Sequence, residues 1–164
     1  MRIVRISLFI LAGLIAALLL LMLVGLLVAR LRSPDPSTLE IGLNAGEFAP
    51  CPDSPNCVST MAPDGEHRVP PITYAGPRRD ALEAAREVLE GMARTRIVET
   101  DDAYLHAESR SALFRYVDDV EIYLPEGEGL LHFRSASRVG YSDMGANRKR
   151  YEAFAAAFQD ELEG

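Results

Sequence analysis

From Leu8 to Ala29 the chain runs 22 residues with no charge and no proline, and its only glycines there are Gly13 and Gly25. As a helix rising about 1.5 Å per residue this stretch measures roughly 33 Å, against about 30 Å of bilayer hydrocarbon, so it can cross a membrane once. A cleavable signal has a shorter apolar region, about 7 to 15 residues, and ends in a small-x-small site. Here the run closes on Leu26-Leu27-Val28-Ala29-Arg30-Leu31-Arg32, with no such site and with two arginines. The reading is an uncleaved single-pass anchor over 1–32, preferred to a cleaved signal and to a buried core helix, which an unbroken leucine-rich stretch does not suit. Arg2 and Arg5 precede the run and Arg30 and Arg32 follow it, so the positive-inside comparison is nearly balanced. The α-amino group and the short amino-terminal tail favour that end inside and the body outside.

The body has the opposite character. All 24 acidic residues lie beyond Ser33 and only 13 basic ones accompany them, a balance of −11. General nucleic-acid binding is excluded on this ground, because its affinity comes from cations meeting phosphates. The length suits one domain. Residues 33–50 hold three prolines and two glycines without apolar periodicity, which reads as a linker reaching at most ~60 Å if fully extended. The folded α+β domain is then 51–164.

Within it, Val69–Tyr74 reads as a short strand broken by Pro70-Pro71, and Arg79–Ala93 has helical apolar spacing at Leu82, Ala85, Val88, Leu89 and Met92. Arg96–Thr100 and Ala103–Glu108 read as extended, Ser111–Leu124 as strongly β, and Leu130–Ser135 as a last strand after a turn at Pro125–Glu128. A final helix starts near Ser142-Asp143, both good N-caps, and carries Tyr151, Phe154, Phe158 and Leu162 as its buried stripe. The expected class is α+β: a transmembrane helix, then β-α-β-β-β-α, an antiparallel sheet with helices packed on one face.

Alternation puts Val120, Ile122 and Leu124 on the core face and Asp119, Glu121 and Tyr123 on the other. Pairing Leu124 with Gly129 across the turn sets Ile122 against Leu131, Val120 against Phe133, Glu121 against His132 and Asp119 against Arg134, apolar with apolar and acid with base. Asp118 falls on the core face opposite Ser135, where an ionised carboxylate needs a cation or several donors.

Cys51 and Cys57 bracket a proline-rich loop. A redox pair, or two metal ligands joined by His67, are alternatives, but no C-x-x-C is present and the spacing is no zinc signature. A disulfide is preferred, since the only two cysteines lie beyond an anchor, and it implies an oxidising compartment. Asp118, Asp119 and Glu121, with Asp101-Asp102 nearby, invite a divalent-cation reading. Alternation prevents the three from converging, so a solvated face of cross-strand ion pairs is preferred, covering His106 and His132 as well. No metal site and no cofactor is expected.

The most informative stretch is Arg134–Arg150, with five cations and one acid. Arg148, Lys149 and Arg150 fall in the first turns of a helix, where the macrodipole disfavours positive charge, so helix stability does not explain them. They either pair with carboxylates such as Asp118 and Asp119 or assemble an anion site. Ser135, Ser137 and Ser142, the glycines and a helix N-terminus would add donors of the kind that hold phosphate or carboxylate. The candidate ligand-binding set is Arg134, Ser135, Ser137, Arg138, Ser142, Asp143, Asn147, Arg148 and Arg150, with Asp118 as buried acidic partner.

Cys51–Ser59, Val117–Glu121 and Arg134–Arg150 together resemble the three signature segments of a bacterial and plastid family, the domain of unknown function 1499: Cys-x-x-Ser-Pro-Asn-Cys-Val-Ser, Val-Asp-Asp-Val-Glu, and Arg-Ser-Ala-Ser-Arg-x-Gly-Tyr-Ser-Asp-x-Gly-x-Asn-Arg-x-Arg. The resemblance spans roughly Pro50 to Leu162 and implies no activity, cofactor or catalytic residue. It does imply that the three segments belong to one domain and meet in space.

Three functions follow as expectations. The first is a membrane-tethered, extracytoplasmic (periplasmic-side) binding module for an anionic lipid headgroup, phosphate or carboxylate. The second is a hydrolase or transferase using Asp118, Asp119 or Glu121. The third is an envelope assembly factor that meets another envelope protein.

Overall fold

The computed structural model describes residues 2–31, 40–63 and 65–163. Two compact units result, Met1–Ser33 and Pro34–Gly164. The first is helix α1, Arg2–Leu31. Its segment Ser7–Gly25 is long and apolar enough to cross a membrane, and none of it is buried by protein. Arg32 and residues 33–39 of the expected linker lie outside the described residues.

The second unit orders its elements as β1 (Leu43–Asn44), β2 (Glu47–Phe48), β3 (Cys57–Ser59), β4 (Ile72–Thr73), α2 (Arg78–Gly91), β5 (Thr95–Thr100), β6 (Tyr104–Arg110), β7 (Val117–Tyr123), β8 (Leu130–Ser137) and α3 (Ala146–Glu163). The α+β class holds, with four strands rather than three between the two helices and three further short strands upstream. The main sheet is antiparallel in the order β3-β8-β7-β6-β5, with β4 added along the start of β8.

One face of the sheet meets both helices. Leu105, Ala107, Val120, Ile122, Leu131 and Phe133 point inward and pack on Ala81, Ala85 and Leu89 of α2 and on Tyr151, Phe154 and Phe158 of α3. The i, i+3/i+4 spacing on each helix gathers these side chains into one stripe. Phe133 anchors the contact, its ring centroid 5.4 Å from Tyr151 edge-on and 5.3 Å from Phe154.

Three sequence expectations are corrected. The register of β7 on β8 is displaced by two residues: Ile122 faces Phe133, Val120 faces Ser135, Glu121 faces Arg134, Asp119 faces Ala136 and Asp118 faces Ser137. The β7–β8 pairing ends at Tyr123 and His132, so the connection is longer than a four-residue turn; along the other edge of β8, Leu130 and Leu131 pair with Thr73 and Ile72 of β4, and the Tyr74 N–H donates to the Gly129 carbonyl at 3.0 Å. A Cβ on Gly129, at φ +63°, would sit 3.3 Å from the Tyr74 carbonyl oxygen, which a larger residue would have to displace. Because a shift of two preserves alternation, every side chain keeps its expected face.

Secondly, residues 40–50, read as linker, are part of the folded unit. β1 and β2 form a two-stranded hairpin through Ala45 and Gly46, both at positive φ, and Phe48 is buried. Thirdly, Ser111–Tyr116 is a turn and not the start of a strand: Arg115 has φ 59°, and Leu113 and Phe114 are exposed.

Candidate functional site

Strand alternation distributes the polar segments over two faces of the sheet. On the helix side, Asn147, the second residue of α3, is completely buried. Its Oδ1 accepts from Ser135 Oγ at 2.6 Å and from Arg150 Nη1 at 2.5 Å. Its Nδ2 donates to the Asn56 carbonyl at 2.8 Å and to Ser137 Oγ at 3.0 Å, so the amide uses its full hydrogen-bonding capacity. Arg150 also donates to Ser135 Oγ at 2.8 Å and, through Nη2, to Asp118 Oδ2 at 2.7 Å. The cation that Asp118 required on the core face is therefore Arg150. Asn56 Nδ2 donates in turn to the Gly140 carbonyl at 2.6 Å, and the Cys51–Cys57 disulfide closes the loop that carries Asn56. The three signature segments meet at this one network.

The start of α3 satisfies itself. Asp143 accepts from the Asn147 N–H at 2.7 Å and the Gly145 N–H at 2.9 Å, and Ser142 Oγ accepts from the Met144 N–H at 3.2 Å. The carboxylate of Asp143 thus occupies the place an anion would take at a helix N-terminus. Arg148 reaches the carbonyls of Glu66 and Arg68 at 2.8 and 3.3 Å, beside a small cavity of about 190 Å³ that Asp143 and Gly145 also line.

The opposite face was expected to be solvated; it is covered instead. His106, Glu108, Asp119, Glu121 and Arg134 are all buried there, and residues of the 40–52 segment meet Glu121 and border Asp119 and Arg134. Arg138 grips Asp119 with Nε at 2.9 Å and Nη2 at 2.7 Å and donates to Glu108 at 2.7 Å. His106 Nε2 lies 2.8 Å from Asp119 Oδ1. Glu121, which has no exposed surface, receives Arg134 Nη1 at 2.5 Å, Tyr104 Oη at 2.9 Å and the Gly42 N–H at 2.7 Å.

These contacts set the protonation states. Burial by itself would raise the Asp119 carboxyl, but hydrogen bonds from Arg138 and His106 outweigh it and hold the group below the usual carboxylate range. Glu108 follows the same balance, with Arg138 and Arg110 as donors. Burial, reinforced by the Glu121 charge, pushes the Tyr104 phenol far up, so it stays a donor. Burial also lowers the His132 imidazole.

Over this face opens a cleft of about 250 Å³, lined from the sheet chiefly by Asp119, Arg134 and Arg138 and from the covering segment by residues that include Glu40, Ile41 and Pro50. Arg134 Nε is a buried donor with no acceptor among the described residues. A guanidinium N–H removed from water without an acceptor is costly, which singles out this position.

The nine sequence candidates therefore divide. Arg134 and Arg138 line the cleft; Ser137 borders it too, but its hydroxyl is taken by the Asn147 amide on the helix face. Ser135, Asn147 and Arg150 join Asp118 on the helix face, while Ser142, Asp143 and Arg148 serve the start of α3. Asp118 lies on the opposite face from Asp119 and Glu121. Among the described residues no group of three or more His, Cys, Asp and Glu side chains is placed to hold a metal ion. Sequence reasoning missed Tyr104, Glu108 and Asn56. The polar alternation Tyr104, His106, Glu108 carried the signal for the first two, since it stamps one face of an adjacent strand.

A family model, described as protein of unknown function DUF1499, matches residues 47–158. No curated protein matches the chain.

Proposed function

The chain belongs to the DUF1499 family of proteins of unknown function, and from that premise we propose that it is a membrane-anchored, extracytoplasmic binding module whose outer-face cleft takes a small anion, a phosphate or carboxylate group. The observation that carries this reading is Arg134 Nε, an unsatisfied guanidinium donor in a residue that lines a cleft together with Arg138. A planar guanidinium matches an oxyanion better than an ammonium does. The Cys51–Cys57 disulfide supports an oxidising compartment for the body, and the apolar Ser7–Gly25 helix supports anchoring. The hydrolase or transferase reading has less behind it. Asp119 is held ionised by Arg138 and His106, which suits an ion-pair partner better than a proton donor.

The test is calorimetric titration of the full chain in detergent micelles with inorganic phosphate and with acetate. Wild type is expected to bind at least one of them, and Arg134→Lys, which keeps the charge opposite Glu121 but lacks the Nε–H, to lose the heat. Equal binding by both proteins, or none by wild type, overturns the reading.

A further inference from the structure

Four loops gather at one end of the main sheet: Cys51–Asn56 before β3, the α2–β5 turn, the β6–β7 turn over Ser111–Tyr116, and the β8–α3 connection through Met144. Their adjacency is fixed by backbone hydrogen bonds: the Arg110 N–H meets the Arg94 carbonyl, the Arg138 N–H the Val117 carbonyl and the Ser137 N–H the Asn56 carbonyl. Among the described residues outside α1, the large hydrophobic side chains left exposed are Val98, Leu113, Phe114, Tyr141 and Met144. All but Val98 sit on these loops. Met144 is 91% exposed, Tyr141 76% and Leu113 69%.

Two of these loops are basic in an acidic domain, the other two carrying Asp53 and Asp143. Arg94 and Arg115 are exposed there. The β6–β7 and α2–β5 turns hold no acid, Asp143 is engaged in capping α3, and Asp53 is the exposed acid of the Cys51–Asn56 loop. Among the described residues, three of the four non-glycine residues at positive φ, Arg94, Arg115 and Met144, are at this end. L side chains adopt that left-handed backbone only at a cost, and here it turns out two cations and the most exposed apolar side chain.

We propose that this end of the domain docks on an anionic bilayer surface, with Leu113, Phe114, Tyr141 and Met144 entering the interface and Arg94 and Arg115 meeting the headgroups. Apolar and aromatic side chains beside arginines are the composition that settles at the headgroup boundary, and basic residues near an anionic leaflet draw the domain down. The proposal rests on the membrane-anchor reading and is independent of the cleft. An anchor supplies the surface at high local concentration, so weak docking suffices.

The chain has no tryptophan, so single reporters can be placed cleanly. The full chain is reconstituted in phosphatidylcholine vesicles with and without phosphatidylglycerol, carrying brominated acyl chains, with Leu113→Trp, Met144→Trp, or Glu126→Trp at the opposite end of the sheet. The expected result is blue-shifted, bromine-quenched emission at 113 and 144 in the anionic vesicles, and water-like emission at 126. Arg94→Gln and Arg115→Gln should each weaken docking about five-fold, the equivalent of about 1 kcal/mol per basic residue at an anionic surface. Docking should also fall at about 1 M salt, where the Debye length is about 3 Å. Vesicle-bound chain whose 113 and 144 reporters stay water-like overturns the proposal. So does a shift that follows protein concentration instead of lipid charge, the mark of a protein partner. Failure of the anchor itself is read separately, as chain that does not float with vesicles of either composition.

Discussion

Arg150 of the last helix donates to Asp118 of the central strand at 2.7 Å, with 12% and 10% of the two side chains exposed. This pair explains a cation in the first turns of a helix, where the macrodipole opposes it: the charge is placed for the sheet. Removing one partner leaves a largely buried charge uncompensated, which costs about 3 to 5 kcal/mol. Arg150→Met should lose that much stability in denaturant unfolding. The double variant Arg150→Met with Asp118→Asn should lose clearly less than the two single losses added, because the stranded charge is gone. Simple additivity would show that the pair is not coupled.

Arg138, Asp119 and Glu108 give a pH prediction with a definite sign. Both carboxyls fold with lowered pKa, so the unfolded chain binds more protons as pH falls. Their stabilisation is complete above the ordinary carboxylate values of about 4 and is lost as pH falls from there through the lower folded values. Arg138→Met removes the principal donor to both groups. Its acid-unfolding midpoint should move to higher pH, along with a stability loss at neutral pH of about 3 to 5 kcal/mol. An unchanged midpoint in a folded Arg138→Met protein would contradict the assignment.

Cys51 and Cys57 close a seven-residue loop whose Asn56 feeds Asn147 and Gly140. Loop-closure entropy puts the cross-link at about 2 to 2.5 kcal/mol. The paired change Cys51→Ser with Cys57→Ser should cost about that in thermal unfolding, and amide exchange should rise at Ser137, whose N–H is held by the Asn56 carbonyl. Protection at Ser137 equal to that of wild type would mean that the loop holds its place without the cross-link.

Asn147 is the strictest test of the buried polar network. With all four of its side-chain bonds made inside the protein, Asn147→Leu strands Ser135, Arg150 and the Asn56 carbonyl. Each buried polar group left unpaired costs about 1 to 3 kcal/mol, so the loss in chemical unfolding should exceed that of a surface asparagine by several kcal/mol. A loss under about 1 kcal/mol would show the network to be dispensable.

Much of this was legible in the sequence. The helix stripes of α2 and α3 and the two faces of β7 follow from spacing alone, and the need of Asp118 for a cation followed from its parity. What was not legible depended on distant chain. The register of β8 on β7 is set by a β7–β8 connection two residues longer than the local turn signal suggests, while Leu130 and Leu131 pair along the other edge of β8 with distant β4. Glu121 is met and Asp119 bordered by the 40–52 segment, whose glycines and prolines read locally as linker. Leu113 and Phe114 have strand-forming character, yet they lie exposed in a turn, so propensity and position disagree at that place. The nine cationic-segment candidates separated because alternation along β8 sends Arg134 and Ser135 to opposite faces, a division the sequence contains but a contiguous motif conceals.

Arg134 lines the outer-face cleft, and its buried, unpaired Nε–H is the donor proposed to receive an oxyanion that enters there. The most direct measurement is the ¹H–¹⁵N resonance of that Nε–H in the full chain in micelles, assigned by its loss in Arg134→Lys and followed through a titration with inorganic phosphate and with acetate. A saturable downfield shift of this one guanidinium signal is expected, at the same midpoint as the calorimetric heat. A signal that does not move while either anion binds, or while neither does, contradicts the proposal.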